Sequence, residues 1–117
     1  MYIATVVIAG VLALMFIASG IPKVLAIPKA VAGADHLRVG HGLFRIIGVL
    51  EILGAVGVAA GLWWALPGIA AGVGLTALMI GGVITHVKVG DPVKTQASPA
   101  FLAVLSAAYV VLLVLAA

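Results

Sequence analysis

Four apolar runs dominate the 117-residue sequence, each close to the roughly 20 residues an α-helix needs to cross a hydrocarbon core about 30 Å thick. They fall at about 2–21, 43–62, 66–87 and 99–117. Backbone polar groups in lipid must be satisfied within their own segment, and the alternation of a membrane barrel strand is absent, so the runs are predicted to be helices. The expected fold class is all-α: an integral membrane, antiparallel four-helix bundle. Composition agrees, with 66% hydrophobic and only 8% charged residues, where soluble domains carry about a quarter charged. The first twenty residues lack a basic leader, and their run exceeds the roughly 7–15 apolar residues of a secretory signal, so they are expected to be a retained span.

The sequence contains no cysteine, which excludes disulfides, thiolate metal sites and dithiol redox relays. Its net charge of +3 would invite a nucleic-acid partner in a soluble protein. Here the basic residues sit in short connections: Lys23, Lys29, Arg38 and Arg45 around the first, Lys88 and Lys94 in the third. They are orientation signals and imply no nucleic-acid partner. A cell-membrane, multi-pass chain is expected, with both long connections cytoplasmic and both termini outside. Tyr2 and Trp63-Trp64 then share the outer interface, where amphipathic aromatics prefer to sit.

Within the long first connection, Pro28 suits a first helical position, and Ala30, Val31, Ala34 and Leu37 recur at helical spacing. A short interfacial helix over about 28–39 is predicted. The second connection is a tight hairpin, with Pro67 in the first turn of the next helix. In the third, Gly90 is a helix stop, and Ser98 followed by Pro99 reads as an N-cap and first helical residue. Gly57/Gly61 and Gly68/Gly72 are small-xxx-small pairs; packing within one bundle is the simpler reading, a homo-oligomer seam the other.

The chemistry concentrates at Glu51. Eight positions into the second predicted span, it lies roughly 12 Å from the inner edge, near mid-membrane. An ionised carboxylate there is costly, so Glu51 should face the bundle interior and be protonated, paired or wetted by a cavity. On a helical wheel it shares a face with Phe44, Gly48, Ala55 and Val58, and the small residues leave room for a packed helix or a ligand. Arg45 is six residues earlier, about 9 Å along the axis and about 120° around it, so its natural partner is a lipid phosphate or a group on another span. Ser19 and Lys23 close the first span, and Thr85 and His86 close the third. Antiparallel packing puts these ends on the side of Arg45, so Ser19, Lys23, Arg45, Glu51, Thr85 and His86 are expected to border one polar pocket.

Other chemistries find no support. His36, His41 and His86 do not have a zinc spacing, so no metal site is expected. Ser19, Ser98 and Ser106 lie in no nucleophile elbow, and Gly72-Val73-Gly74 sits inside an apolar span, where it is no phosphate loop. No cofactor is implied.

Ser19-Gly20-Ile21-Pro22-Lys23, then Arg45-Ile46-Ile47-Gly48-Val49-Leu50-Glu51-Ile52-Leu53-Gly54-Ala55, then Gly82-Val83-Ile84-Thr85-His86 resemble the DoxX-like family of small four-helix membrane proteins. The resemblance covers nearly the whole chain, which reads as a single DoxX-like transmembrane domain over 1–117. The family takes its name from a subunit associated with an archaeal thiosulfate:quinone oxidoreductase, and related proteins accompany redox enzymes or act as assembly factors. The resemblance implies weight on Ser19, Lys23, Arg45, Gly48, Glu51, Thr85 and His86, and implies no particular reaction. Two functions follow. In the first, Glu51, with His86 and Arg45, binds an apolar small molecule (a quinone, isoprenoid or lipid-like epoxide) or acts on it by acid/base chemistry, with Ser19, Lys23, Gly48 and Thr85 in the binding wall. In the second, the chain is a non-enzymatic accessory subunit or assembly factor docking another membrane protein through its glycine-rich faces. Membrane lipid is a partner under both.

Overall fold

Apolar side chains cover the outside of this protein as well as its interior, with Leu14, Leu53, Val104 and Leu115 all facing outward. Water does not tolerate such a surface over a whole molecule, whereas lipid does. The structure is a computed structural model that describes residues 2–116, with the backbone alone for 93 and 95–97. It contains α1 (Tyr2–Val24), α2 (Pro28–His36), α3 (His41–Ala60), α4 (Ala65–Lys88) and α5 (Val93–Ala116). In α1, α3, α4 and, from Ser98 onward, α5, length and composition suffice to cross a membrane. The protein is a multi-pass integral membrane protein.

The four spans form a closed ring in which α1 packs on α3, α3 on α4, α4 on α5 and α5 back on α1. Each neighbouring pair is antiparallel, so the basic connections gather at one end of the bundle and the Trp63-Trp64 hairpin lies at the other. Leu12, Phe16, Val58, Leu75 and Tyr109 fill the interior. The wholly buried Tyr109 hydroxyl donates to the Val58 carbonyl at 2.5 Å, tying α5 to α3 across the ring.

Glycines set the spacing between helices. A Cβ on Gly20 would stand 2.7 Å from the Gly48 carbonyl oxygen, and one on Gly48 would stand 2.8 Å from that of Gly20, so α1 and α3 touch backbone to backbone. Gly61 and Gly68 meet in the same way between α3 and α4, while Gly57 faces Ala71 and Gly72 faces Val110. Both small-xxx-small pairs are thus used in packing within the bundle.

The helix limits depart from the sequence reading where left-handed residues do the stopping. α1 runs through Pro22 to Val24 rather than ending at Ile21; Ala26, with φ 52°, turns the chain, and the Ile27 N–H bonds the Pro22 carbonyl. α2 begins at Pro28 as expected but stops at His36 rather than 39, because Arg38 has φ 58° and the Val39 N–H reaches back to the Ala34 carbonyl. Gly90, with φ 76°, ends α4 by the same six-residue return bond, from the Asp91 N–H to the His86 carbonyl. These are Schellman closures, which favour glycine at the left-handed position; only Gly90 announces itself in the sequence.

The predicted start of the fourth span is corrected. Ser98 is not an N-cap and Pro99 is not the first helical residue: α5 begins at Val93, and Pro99 lies inside it. The residues before Ser98 are too polar for an apolar run, yet they continue the helix out of the hydrocarbon. Ala117, which the sequence reading placed in this span, lies outside the described residues. The second and third spans also shift by one or two residues at each end, as helix limits commonly do.

Candidate functional site

The Gly20–Gly48 contact brings the last turn of α1 against α3 one turn from Glu51. Lys23, in that last turn, reaches across: its Nζ forms a salt bridge with Glu51 Oε1 and donates to Ser19 Oγ at 2.9 Å. The ammonium also stands 5.3 Å from the centre of the Phe44 ring, a favourable position for a partly desolvated cation. Its place at a helix C-terminus suits its charge as well. Glu51 is wholly buried, and its other oxygen, Oε2, finds no hydrogen-bond partner among the described residues. Of the partners open to Glu51 from other helices, Lys23 is the one that arrives.

Beside this pair is a cavity of about 560 Å³ in the basic half of the bundle, bordered by α1, α3, α4, α5 and the segment after α2. Ser19, Lys23, Glu51, Thr85 and His86 all line it, so the structure brings together five of the residues singled out in the sequence. Its apolar wall includes Phe44, Ile47, Leu78, Met79 and Leu102. Of these, Phe44 alone carried a sequence signal, through its place on the Glu51 face. A groove of about 600 Å³ on the outer side of α3 and α4 is lined only by apolar residues and glycine, as a surface for lipid tails would be.

Two of the singled-out residues stand elsewhere. Gly48 does not open room for a ligand, because the backbone of α1 fills the space beside it. Arg45 does not border the cavity: its Nε donates to the Val24 carbonyl at 3.1 Å, where a cation suits the C-terminal end of α1. Thr85 spends its hydroxyl hydrogen on the Gly81 carbonyl at 2.8 Å, four residues back. Ser106, one turn beyond the lining residue Leu102 on α5, is wholly buried, and its Oγ has no partner among the described residues.

A second polar cluster closes the basic end, and sequence reasoning missed its centre. Asp91 accepts hydrogen bonds from His86 Nδ1 at 2.5 Å and His36 Nε2 at 2.7 Å, fastening α2 to the end of α4. His41 pairs separately with Asp35 at 2.7 Å. The signal for Asp91 was slight, since a Gly-Asp-Pro stop reads as loop chemistry alone. Its effect is to orient His86 at the cavity wall.

Four apolar spans around a buried carboxylate–ammonium pair define a small integral membrane protein with an internal polar site. The family model of the DoxX-like family matches residues 7–109, and the chain belongs to that family. The uncharacterized protein YdgD of Bacillus subtilis (strain 168) is 36% identical over 75 residues, which are 64% of this chain and 66% of the relative. The match thus spans just under two thirds of that relative's length. No solved structure matches the chain.

The hydrogen bond from His86, then that from His36, holds the Asp91 carboxyl below its ordinary value of 3.8, against a smaller opposing effect of burial. A depressed carboxyl contributes stability above its unfolded-state value and loses it as pH falls through the folded-state value. The gap in thermal midpoint between the native protein and Asp91→Asn should therefore be full at about pH 6 and close as pH drops below about 3.8. Thermal melts in detergent across that range check this, and a gap that widens on acidification would contradict it.

Proposed function

We propose that the cavity beside Lys23 and Glu51 binds an apolar small molecule by its polar end, in the class of quinones, isoprenoids and lipid-like epoxides, and that Glu51 is the acid/base group facing it. The observation that carries this reading is a wholly buried carboxylate with one oxygen paired and the other without a partner among the described residues, at the wall of a cavity of about 560 Å³. That volume is within the roughly 300–1,000 Å³ of ordinary ligand sites, and the mixture of an apolar lining with a few convergent polar groups is typical of them. A buried acceptor left without a donor costs about 1–3 kcal/mol or more when charged, which a ligand's polar end would offset. His86, held by Asp91 through Nδ1 and lining the cavity, is the second acid/base candidate. Arg45, turned to the end of α1, is assigned to the interface and its lipid phosphates rather than to the reacting group.

The alternative of an accessory subunit or assembly factor rests on glycine-rich docking faces. Most of those glycines are taken up inside the bundle, leaving Gly74 and Gly81 open among those of α4, so this reading has less behind it. We further propose that the basic end is cytoplasmic and both termini are outside, on the distribution of Lys and Arg.

Two experiments test these proposals. Protein purified in mild detergent should carry a non-phospholipid apolar molecule, found by mass spectrometry of its extract. Gly82→Leu, which places a side chain at the cavity wall, should lose it while remaining monodisperse. An extract identical in both proteins, or empty in both, would overturn the ligand reading. For orientation, the absence of cysteine allows single substitutions: Trp63→Cys should react with a membrane-impermeant maleimide on intact cells, and Lys29→Cys only after permeabilisation. The reverse pattern would invert the topology.

A further inference from the structure

The hydrogen-bonding capacity left over at the Lys23–Glu51 pair specifies the head group that the cavity takes. This step rests on the ligand reading above and narrows it. An ammonium has three N–H donors. Lys23 gives one to Ser19 Oγ and one to Glu51 Oε1, leaving a third unengaged among the described residues. Glu51 Oε2 is a buried acceptor without a donor among the described residues. The pair therefore leaves one donor and one acceptor unused among the described residues, on two groups that are joined by a salt bridge and line the cavity.

Charge narrows the choice further. Lys23 and Glu51 neutralise each other, and Glu51 is wholly buried. An anionic head group would meet the carboxylate without a second cation to balance it, since Arg45 is turned to the Val24 carbonyl outside the cavity and His86 at its wall is paired with Asp91. A cationic one would meet the Lys23 ammonium, with Asp91 already engaged by two histidines. Either would bury an uncompensated charge. A neutral group that only accepts, such as an ether, epoxide or isolated carbonyl, would satisfy Lys23 and leave Oε2 orphaned. A hydroxyl does both, accepting from Lys23 Nζ and donating to Glu51 Oε2.

We infer that the ligand is a neutral apolar molecule ending in a hydroxyl, an alcohol or phenol, whose oxygen bridges Lys23 and Glu51 while its body lies against Phe44, Leu78, Met79 and Leu102. Among the classes proposed above, this selects hydroxyl-bearing isoprenoids and hydroquinones over epoxides and oxidised quinones.

The test uses the full chain in phosphatidylcholine nanodiscs and four probes with the same dodecyl chain: dodecanol, its methyl ether, dodecanoate and dodecylamine. Binding is measured by native mass spectrometry against empty discs. Dodecanol should bind, and each of the other three should bind about tenfold or more weakly, the worth of a hydrogen bond to a charged group. In the double variant Lys23→Met/Glu51→Leu, which leaves no unpaired charge, the preference for dodecanol over its ether should fall to about one. An ether that binds the native protein as well as the alcohol overturns the inference, as does a dodecanoate or dodecylamine that matches it. So does an alcohol preference that survives in the double variant. If none of the four binds, the ligand reading fails as well, an outcome distinct from a cavity that binds the chain without reading its head group.

Discussion

The salt bridge between Lys23 and Glu51 is the interaction on which the interior of this bundle depends. A charged side chain deep in a membrane costs about 2.5–3.5 kcal/mol on insertion scales and more in other estimates, so an ionised Glu51 is not stable there without the Lys23 ammonium. Their meeting is set by backbone geometry. Gly20 and Gly48 let α1 and α3 touch, which places the last turn of α1 one turn from Glu51, within the length of a lysine side chain. A larger residue at either glycine would separate the charges as well as the helices. Ser19 and Phe44 complete the ammonium's surroundings.

The rest of the fold divides the bundle into two unlike halves. Toward the Trp hairpin, Gly61 and Gly68 bring α3 and α4 together, and Tyr109 closes the centre with its bond to Val58. Toward the basic end the space among α1, α3, α4 and α5 is the cavity, with Phe44 in its wall. Asp91 spans that end, gathering His36 and His86. A tight half that supports an open half is how a small bundle holds a polar site rigid, since side chains in a packed region cannot drift to satisfy a stray charge on their own. Membership of the DoxX-like family fits this arrangement, because the stretches that carry the resemblance run through the Gly20–Gly48 contact, the Lys23–Glu51 pair and the His86 wall.

Much of this was legible in the sequence because membranes impose long, simple periods. The four spans, the helix beginning at Pro28, the tight Trp hairpin and the inward face of Glu51 all follow from run length and helical geometry. The convergence of Ser19, Lys23, Glu51, Thr85 and His86 followed from antiparallel packing alone. What escaped was set by local backbone or by side-chain reach. Ala26 and Arg38 adopt left-handed conformations that their side chains do not favour, so two helix ends were misplaced. Pro99 stood where a helix start was plausible, and the polar turn before it hid the true one. The room beside Gly48 was read as space for a packed helix or a ligand, and the helix is α1; Arg45, expected to meet a lipid phosphate or a group on another span, bonds the Val24 carbonyl at the end of α1. Asp91 joins elements 55 and 5 positions away, a convergence that spacing in one chain does not display.

On the proposed ligand reading, Lys23 and Glu51 are held together in the interior for binding, at no gain in stability over apolar packing. A double-mutant cycle on reversible unfolding in detergent measures this directly. Lys23→Met and Glu51→Leu alone should each cost about 3–5 kcal/mol, because each strands a buried charge, while the double variant should be about as stable as the native protein or more so. Single variants as stable as the native chain, or a double variant no better than either single, would contradict it.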